Sequence, residues 1–464
     1  MRIQPNPRKG FSGTGKKAEP ERRTREYSAN ISDTNTNNIY DGENLMDKVL
    51  ERENMIKAAK RVISNKGCPG IDGISVEEIT VVLKEHWEKI WKKLREWSYT
   101  PAPILRKYIP KDNWEKRALW IPTVLDRIIQ QAISQVLMPI YEEEFSETSY
   151  GFRPGRKAED AINKAKEYAE EGRMYVVDLD ISKYFDNVNH DKLIWILQRR
   201  IKDKMILRII RKYLKAWILE AGVKVRTEVW TPQWGPLSPL LSNIYLDELD
   251  KMLERRGHKF VRYADDCNIY VKSERAWERV LEKVEKFLNK KLKLKINKEK
   301  SGVWKITDRT FLWFWFYISK EGETRVIPSD KSKRKLKKRL KNITKKNAAS
   351  GWEEIMKRIK IFVQGWIWYY YIADMSSFLD KMNAWVRRRL RMVIWNNWKR
   401  IRTRVKKLRR FGLTKLEAKK FACTRKWPWR IARSWIMHTT YTNSYLEKLW
   451  VPNFIKILER RRSI

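Results

Sequence analysis

The sequence predicts an α+β fold built around an antiparallel sheet, and three features lead to this prediction. MYVVDLDI (174–181) is an apolar run rich in β-branched residues, which is typical of a buried strand. HKFVRYADDCNIYVKS (258–273) has the pattern of two strands joined by a tight acidic turn. Segments with helical periodicity separate these strands, so helices and sheet are expected to share a mixed core.

The order of the remaining elements follows from shifts in composition along the chain. Residues 1–44 are polar and are expected to form a disordered or loosely attached tail. Helical periodicity starts near Leu45 and is pronounced over 123–145, and beyond about residue 330 two or three packed helices with a cationic exterior are expected. The other β-like runs are ILRKYIP (104–110), ALWIP (118–122), KLKLKINKEKS (291–301) and RTFLWFWFYIS (309–319).

The charge of the chain is strongly positive and unevenly distributed. The net charge is +45, and residues 326–464 hold 38 Lys and Arg against 8 Asp and Glu. Such an excess indicates a polyanionic partner, of which nucleic acid is the commonest. A membrane surface is the competing interpretation, but the basic residues are interleaved with aromatic ones over a long region instead of lying on one amphipathic helix.

Cysteine usage and hydropathy exclude several classes of protein. Cys68, Cys267 and Cys423 are scattered and form no CxxC pair, which excludes a disulfide framework and a zinc-finger module and fits a reducing cytosol. No run of about 18 apolar residues is present, so no membrane-spanning helix is expected. The N-terminus lacks the apolar region of a secretory signal.

Three aspartates are the candidates for chemistry. Asp265 and Asp266 lie at the turn of the predicted hairpin, where acids also serve as ordinary turn residues. Asp180 ends a separate buried strand, and carboxylates at the ends of adjacent strands repel unless a cation joins them. Oxygen ligands favour Mg²⁺, and paired Mg²⁺ ions serve phosphoryl transfer. With the basic composition, this pattern predicts a nucleotidyl transferase.

Several long motifs, in the same order, resemble those of bacterial group II intron reverse transcriptases. They are SYGFRPGRKAEDAI (149–162), DLDISKYFDNVNH (178–190), QWGPLSPLLSNIYLDELD (233–250) and YADD (263–266). The resemblance implies a right-hand polymerase with fingers, a palm containing the antiparallel sheet and a helical thumb, followed by a basic helical maturase region. It divides the chain into the tail (1–44), fingers and palm (45–325), thumb and maturase region (326–410) and a basic C-terminal extension (411–464). With no paired-cysteine endonuclease region present, the chain resembles the endonuclease-lacking type.

The resemblance also implies roles for individual residues. Asp180, Asp265 and Asp266 would be catalytic and hold two Mg²⁺ ions. Lys111 and Arg117 would bind the triphosphate of the incoming dNTP; the alternative is that they are ordinary charged surface residues. Phe185 would lie under the sugar, unless it is an ordinary core residue, and Gln233 would border the nucleotide pocket. Lys300 would protonate pyrophosphate.

The basic C-terminal third is expected to bind intron RNA. The residues predicted to contact RNA are Lys335, Lys338, Arg339, Arg388, Arg389, Arg402 and Arg404. The predicted function is RNA-directed DNA synthesis in the cytoplasm, with nucleoid association on DNA, using an RNA template and a DNA primer or target. The alternatives are a domesticated enzyme of phage defence or CRISPR spacer acquisition, and an RNA-binding splicing factor with an inactive polymerase.

Tryptophan occupies ten positions where the related family carries or tolerates Gly; QWGPLSP, for example, stands where QGGPLSP is usual. Gly makes up 18 of the 464 residues, about 4% against a usual ~7%. We therefore hypothesise that UGA codons meaning Gly were read as Trp, the alternative being genuine Trp used for packing or stacking. The ten residues are Trp97, Trp114, Trp120, Trp230, Trp234, Trp313, Trp315, Trp368, Trp427 and Trp450.

Overall fold

The computed structural model describes residues 44–110, 116–182, 184–216, 218–220, 223–225, 235–345 and 351–464. Apart from Asn44, the predicted tail lies outside these residues, and for Arg117 the backbone alone is described. Other predicted residues that lie outside them are Lys111, Gln233, Trp114, Trp230 and Trp234.

The N-terminal part of the described chain packs helices around one buried helix, Val124–Glu142. Its sequence is apolar on most faces, and its first turn is capped by the Thr123 hydroxyl, which accepts a hydrogen bond from the Asp126 amide. Helices from both sides of the chain contact it, so it forms the centre of a first core. The elements up to this point are α1 (Leu45–Leu50), α2 (Arg52–Ser64), α3 (Ile79–Arg95), β1 (Ile104–Pro110), β2 (Lys116–Ile121) and α4 (Val124–Glu142).

The middle of the chain forms the predicted antiparallel sheet, with helices around it. The strand order is β6-β7-β3-β8, so the buried run MYVVDLDI lies beside the hairpin that carries YADD. The elements are α5 (Ala158–Glu170), β3 (Tyr175–Leu179), α6 (Tyr184–Asn187), α7 (His190–Gln198), α8 (Lys204–Leu214), β4 (Ile218–Glu220), β5 (Val223–Val225), α9 (Ser238–Arg255), β6 (Lys259–Tyr263), β7 (Asp266–Val271), α10 (Ala276–Phe287) and β8 (Gly302–Lys305).

The central sheet separates two hydrophobic cores because successive side chains of a strand point to opposite faces. Val177 and Ile269 belong to the first core with α4 and α9. Val176 and Tyr270 belong to a second core, which also contains α5 and the C-terminal helices. The sheet is therefore covered on both faces.

Two smaller sheets flank the central one. Strands β1 and β2 form a hairpin that pairs with β4 and β5, in the order β2-β1-β4-β5. The predicted strand segment RTFLWFWFYIS forms β9 (Thr310–Phe311) and β10 (Phe314–Ile318), which pair with β11 (Thr324–Pro328). The strand prediction for KLKLKINKEKS is wrong: Leu288–Leu292 is a π-helical turn and Lys293 has a φ of 54°. Its alternation instead seats Leu292 and Leu294 in the first core.

The C-terminal part is helical, as predicted. Most of its buried apolar residues, from Leu336 to Leu458, join the second core, while Met392, Val393 and Ala432 form a small separate cluster. Among the residues that the structure describes, no helix is both long enough and apolar enough to cross a membrane. The helices are α11 (Asp330–Ile343), α12 (Trp352–Tyr370), α13 (Ser376–Asn397), α14 (Ile401–Arg409), α15 (Lys415–Ala422), α16 (Pro428–Ile431), α17 (Trp435–Thr440), α18 (Asn443–Lys448) and α19 (Phe454–Arg462).

Candidate active site at the end of the central sheet

One face of the central sheet changes from apolar to acidic along β3 and β7. Val176 pairs with Tyr270 in the second core, and two residues further on Asp178 pairs with Asn268. Continuing this register by two residues brings Asp180 opposite Asp266, where the two strands end. The strand pairing therefore brings together two of the three predicted catalytic aspartates, and Asp265 precedes the second of them in the chain.

A two-residue turn, Ala264–Asp265, connects β6 to β7 and presents Asp265 to solvent. Ala264 has a φ of 59°, in the left-handed region that non-glycine residues seldom adopt. Gly151 lies against this turn: a Cβ at Gly151 would be 2.3 Å from the Ala264 nitrogen. A glycine in SYGF is therefore required for the close approach of the two segments.

Negative charge is concentrated at this end of the sheet. Burial of its carboxyl, together with the charges of Asp265, Asp178 and Asp180, raises the pKa of Asp266 to about 7, although part of the residue is open to solvent. Burial also raises the pKa of Asp178, against the opposing effect of Arg309, whose Nε lies 3.0 Å from Asp178 Oδ2. Burial is the main cause of both shifts, and repulsion by neighbouring carboxylates adds to it.

This donor set fits a hard cation. Within the described residues, no group of three or more His, Cys, Asp or Glu side chains is assembled into a ready chelate. The three predicted aspartates are nevertheless the hard oxygen donors that Mg²⁺ prefers, and a cation between them would remove the repulsion that raises the pKa of Asp266.

Two predicted nucleotide-binding residues lie beside the acidic end of the sheet. Lys300 Nζ is 4.0 Å from Asp180 Oδ2, so this lysine is placed next to a predicted catalytic carboxylate. Phe185 lies on α6, which follows β3 and Asp180 in the chain, and packs edge-on against Tyr184 with ring centroids 5.0 Å apart. It is half-buried against the first core.

The described end of QWGPLSP is held tightly against α4. A Cβ at Gly235 would be 2.0 Å from Oε1 of Gln130, a buried residue of α4. The Gly235 carbonyl accepts a hydrogen bond from the Ser238 amide at 3.0 Å, which starts α9. A Cβ at 235 would therefore collide with the buried Gln130 side chain, which favours glycine at this position.

The predicted RNA-contacting residues fall into an exposed group and a group bonded within the protein. Lys335, Lys338 and Arg339 are exposed on α11, and Arg402 is exposed on α14. Arg388 Nη2 donates to the Trp429 carbonyl at 3.0 Å, and Arg404 Nε donates to the Trp398 carbonyl at 2.9 Å.

Arg389 belongs to the group bonded within the protein. The residue is buried, and its Nε donates to the Thr344 hydroxyl at 2.6 Å while Nη2 donates to the Thr344 carbonyl at 2.8 Å. Its guanidinium therefore caps the C-terminal end of α11.

Sequence reasoning missed the residues that support the acidic turn Ala264–Asp265. Buried Arg262 joins the carboxylate of Asp250 to the turn, and Asn243 links Arg262 to Gly151. The motifs at 233–250 and 263–266 contain or adjoin all three of these polar residues. A signal for them was present in the strand HKFVRY, where Arg262 interrupts a run that should be buried.

Three of the ten tryptophans occupy backbone positions that favour glycine. Trp97 (φ 61°) and Trp450 (φ 66°) follow the C-caps of α3 and α18. In each case the next amide bonds back to the third residue from the helix end, Ser98 to Lys93 and Val451 to Leu446. This is the Schellman arrangement, in which glycine is usual at the left-handed position.

The third such residue lies in a hairpin. Leu312 (φ 47°) and Trp313 (φ 68°) form the two-residue connection between β9 and β10, with Phe311 paired to Phe314. Positive φ at both positions is the type I′ turn, for which Asn-Gly is typical. The φ angles are ordinary at four further positions, so there the backbone does not distinguish a decoding error from genuine Trp. These positions are Trp120, Trp315, Trp368 and Trp427.

Two protein-family models match this chain. Residues 109–347 match the reverse transcriptase (RNA-dependent DNA polymerase) family, and residues 333–412 match the group II intron maturase-specific domain. Protein YkfC of Escherichia coli is 31% identical over 338 residues, which cover 63% of this chain and 88% of that protein. The group II intron-encoded protein LtrA of Lactococcus lactis is 41% identical over 207 residues, which cover 44% of this chain and 34% of LtrA.

A solved Cas6-RT-Cas1–Cas2 complex contains a chain that is 25% identical and covers 53% of this one, with a TM-score of 0.35. A similarity at that score carries no structural argument. The matched families set the general chemistry: reverse transcriptases use a divalent metal ion and deoxynucleoside triphosphates, and the maturase-specific domain implies binding of intron RNA. The α+β architecture predicted for such an enzyme is confirmed. The chain belongs to the reverse transcriptase family and carries the maturase-specific domain of group II intron proteins.

Proposed function

We propose that this chain copies RNA into DNA and binds its own intron RNA to assist splicing and retrohoming. The observation that carries the proposal is the pairing of β3 with β7, which brings Asp180 opposite Asp266 beside the exposed Asp265. This acidic site lies in a chain of net charge +45, so the surrounding protein can attract the polyanionic template and primer.

The three aspartates are proposed to hold two Mg²⁺ ions. When bound, such a pair stabilises the attacking and leaving oxygens of phosphoryl transfer. Asp180 and Asp265 would be the principal oxygen donors, with Asp266 beside them. Lys300 Nζ lies 4.0 Å from Asp180 Oδ2, and this lysine would give a proton to the departing pyrophosphate.

Recognition of the nucleotide is proposed for residues on both sides of the acids. Phe185 follows Asp180 by five residues, is half-buried, and would contact the sugar. Lys111 and Arg117 would bind the triphosphate, and Gln233 would border the base; for these three the support is the sequence resemblance. Gly235, two residues after Gln233, packs against α4 and would hold this edge of the nucleotide pocket in place.

Intron RNA is proposed to bind the basic C-terminal third, with Lys335, Lys338, Arg339 and Arg402 as exposed contacts. Arg388 and Arg404 donate to backbone carbonyls within the protein. They would therefore act on the RNA mainly through their positive charge and less through direct hydrogen bonds. We propose that the protein acts in the cytoplasm and associates with the nucleoid when it engages DNA. We propose that the boundaries at residues 325/326 and 410/411 separate functions and not separately folded domains, because the second core contains residues on both sides of each boundary.

Primer extension tests the polymerase proposal. Purified protein would be incubated with an RNA template, a DNA primer, dNTPs and Mg²⁺, and compared with Asp265→Ala and with Asp191→Ala, an exposed acid on α7. Extension by the parent and the Asp191→Ala variant, and loss of extension in Asp265→Ala, is the expected result. Equal extension by all three proteins would show that the acidic turn is not the active site.

A further inference from the structure

The catalytic turn rests on a buried arginine to which the proposed chemistry gives no part. Arg262 is fully buried in β6. Its Nε and Nη2 bind the Asp250 carboxylate at 2.8 and 2.5 Å, while Nη1 donates to Asn243 Oδ1 at 2.9 Å and to the Ala264 carbonyl at 3.0 Å. One planar guanidinium therefore connects helix α9 to the residue immediately before Asp265.

The same network fixes the segment on the other side of the turn. Asn243 Nδ2 donates to the Gly151 carbonyl at 2.8 Å, and Gly151 lies against the Ala264 amide. The backbone of Arg262 also pairs with this segment, through bonds of 2.9 Å to the Thr148 carbonyl and from the Tyr150 amide. The strained residue, Ala264, is thus held from both sides.

Stability alone is a weak reason to bury this ion pair. Removing two charges from water is costly, and an apolar pair of similar volume is often equally stable or more so. Burial by itself lowers the pKa of an arginine, but the Asp250 carboxylate more than offsets this and the pKa of Arg262 is raised. The guanidinium is therefore charged, and only a forked, charged donor reaches Asp250, Asn243 and the turn simultaneously.

We propose that Arg262, held in place by Asp250 and Asn243, is a positioning residue for Asp265 and Asp266. By binding the Ala264 carbonyl it maintains the left-handed turn that directs the two carboxylates toward Asp180. The inference rests on the proposed polymerase function, because it assigns a role in organising the same acidic site. A residue that supports metal ligands in this way typically changes metal affinity or activity about 10- to 100-fold when removed.

The principal test replaces the pair by apolar residues in the full-length protein. Arg262→Met with Asp250→Leu removes both charges without leaving either one unpaired, and Asn243→Ser is a milder variant that keeps the ion pair. Arg391→Met is the matched control, since Arg391 is a buried arginine that donates to the Tyr441 carbonyl at 2.9 Å, away from the turn. Each protein is checked for a cooperative melt before use.

Two measurements are made on each variant. The first is the Mg²⁺ concentration for half-maximal primer extension on a short primer–template. The second is Mn²⁺ binding by electron paramagnetic resonance without nucleic acid or dNTP, a readout independent of activity. We expect the double variant to need about tenfold more Mg²⁺ and to bind Mn²⁺ about tenfold more weakly, and Asn243→Ser to shift both about threefold. Arg391→Met should leave both unchanged.

The outcomes separate this inference from the proposed function. Parent-like Mg²⁺ dependence and Mn²⁺ affinity in the folded double variant would overturn the positioning role, even with a fully active parent enzyme. If the double variant does not fold, the same readouts on Asn243→Ser decide the question. A parent protein that fails to extend primers would count against the polymerase proposal, and the Mn²⁺ measurements would then decide the role of Arg262.

Discussion

Gly151 and Ala264 touch so closely that a single methyl group between them would collide with the acidic turn: the missing Cβ would lie 2.3 Å from the Ala264 nitrogen. We therefore predict that Gly151→Ala displaces the turn. Backbone atoms cannot move aside as a flexible side chain can, so the expected loss is about 1–3 kcal/mol of stability. Primer extension should fall more than the stability loss explains, because Asp265 moves with the turn.

Gly155 provides the control for that variant. It lies four residues further on in the same segment, at a φ of 72°, and a Cβ there would meet nothing within 4 Å. Gly155→Ala should therefore cost about 1 kcal/mol through its left-handed backbone while extension is retained. Equal loss of extension in the two variants would show that the contact with Ala264 has no special effect on the site.

The Schellman position of Trp450 leads to a prediction about stability. This side chain is 80% exposed and its φ is 66°, so it gains little from packing while its backbone is unfavourable for any residue with a Cβ. Trp450→Gly should stabilise the protein by up to about 1 kcal/mol, since non-glycine residues in the left-handed region cost roughly 1–2 kcal/mol. The measurement is the free energy of unfolding in denaturant.

The matched control for Trp450→Gly is Trp195, which is 49% exposed within helix α7 and has no positive φ. Trp195→Gly should destabilise by about 1 kcal/mol, the usual cost of glycine in a helix. A gain of stability in Trp450→Gly together with a loss in Trp195→Gly would support glycine as the natural residue at 450. A loss of stability in both would mean that the indole at 450 contributes more than its backbone costs.

The raised pKa of Asp266 predicts a pH-dependent stability. Between its ordinary value of 3.8 and about 7 the folded chain keeps a proton that the unfolded chain releases, so the free energy of unfolding falls as pH rises through this window. Without divalent metal, Asp266→Asn should therefore be more stable than the parent at pH 8, by about 1 kcal/mol because solvent reaches the residue and screens the repulsion. At pH 4 the difference should be much smaller.

Added Mg²⁺ checks that the repulsion arises at the proposed metal site. Excess Mg²⁺ should raise the melting temperature of the parent at pH 8 more than that of Asp266→Asn, because a ligand that binds the folded state stabilises it. A stability difference that is the same at pH 4 and pH 8, and unaffected by Mg²⁺, would contradict the predicted coupling among the acids.

The strands and the acidic turn were predictable because each leaves a local pattern. A β-branched run, an alternating hairpin and a charged tip specify β3, β6 and β7, and the register then follows from pairing. KLKLKINKEKS shows the limit of such reasoning. Its alternation would bury Leu292 and Leu294 equally well in a strand or in an irregular segment. The structure has a π-helical turn there, which depends on packing against the rest of the fold and not on the local pattern.

The supporting network was harder to predict because its partners are distant in sequence. Arg262 and Asp250 are 12 residues apart, and Asn243 bonds to Gly151 across 92 residues. A buried arginine in an apolar strand signals that a partner exists, but only the fold identifies it. Arg389 shows a related limit: it lies in the basic run RRR, which is typical of an exposed RNA contact, yet the helix turns this residue inward to cap α11.

The basic face of α11 predicts how RNA affinity depends on salt. Lys338 and Arg339 are exposed, while Leu336 and Leu340 anchor the helix in the second core, so charge can be removed without disturbing the packing. Lys338→Gln with Arg339→Gln should weaken RNA binding and reduce the slope of log affinity against log salt by about 1–2, since each lost phosphate contact lowers it by roughly 0.7–0.9.

Arg389→Met is the contrasting variant for that experiment. It removes the same kind of charge from the neighbouring helix, but from a buried guanidinium that caps the end of α11. We expect lower stability with an unchanged salt slope, measured by filter binding of intron RNA between 50 and about 500 mM salt. If Arg389→Met reduced the slope as much as the α11 double variant, the RNA would have to reach a residue that the fold encloses, and the assignment of α11 as the exposed contact surface would be wrong.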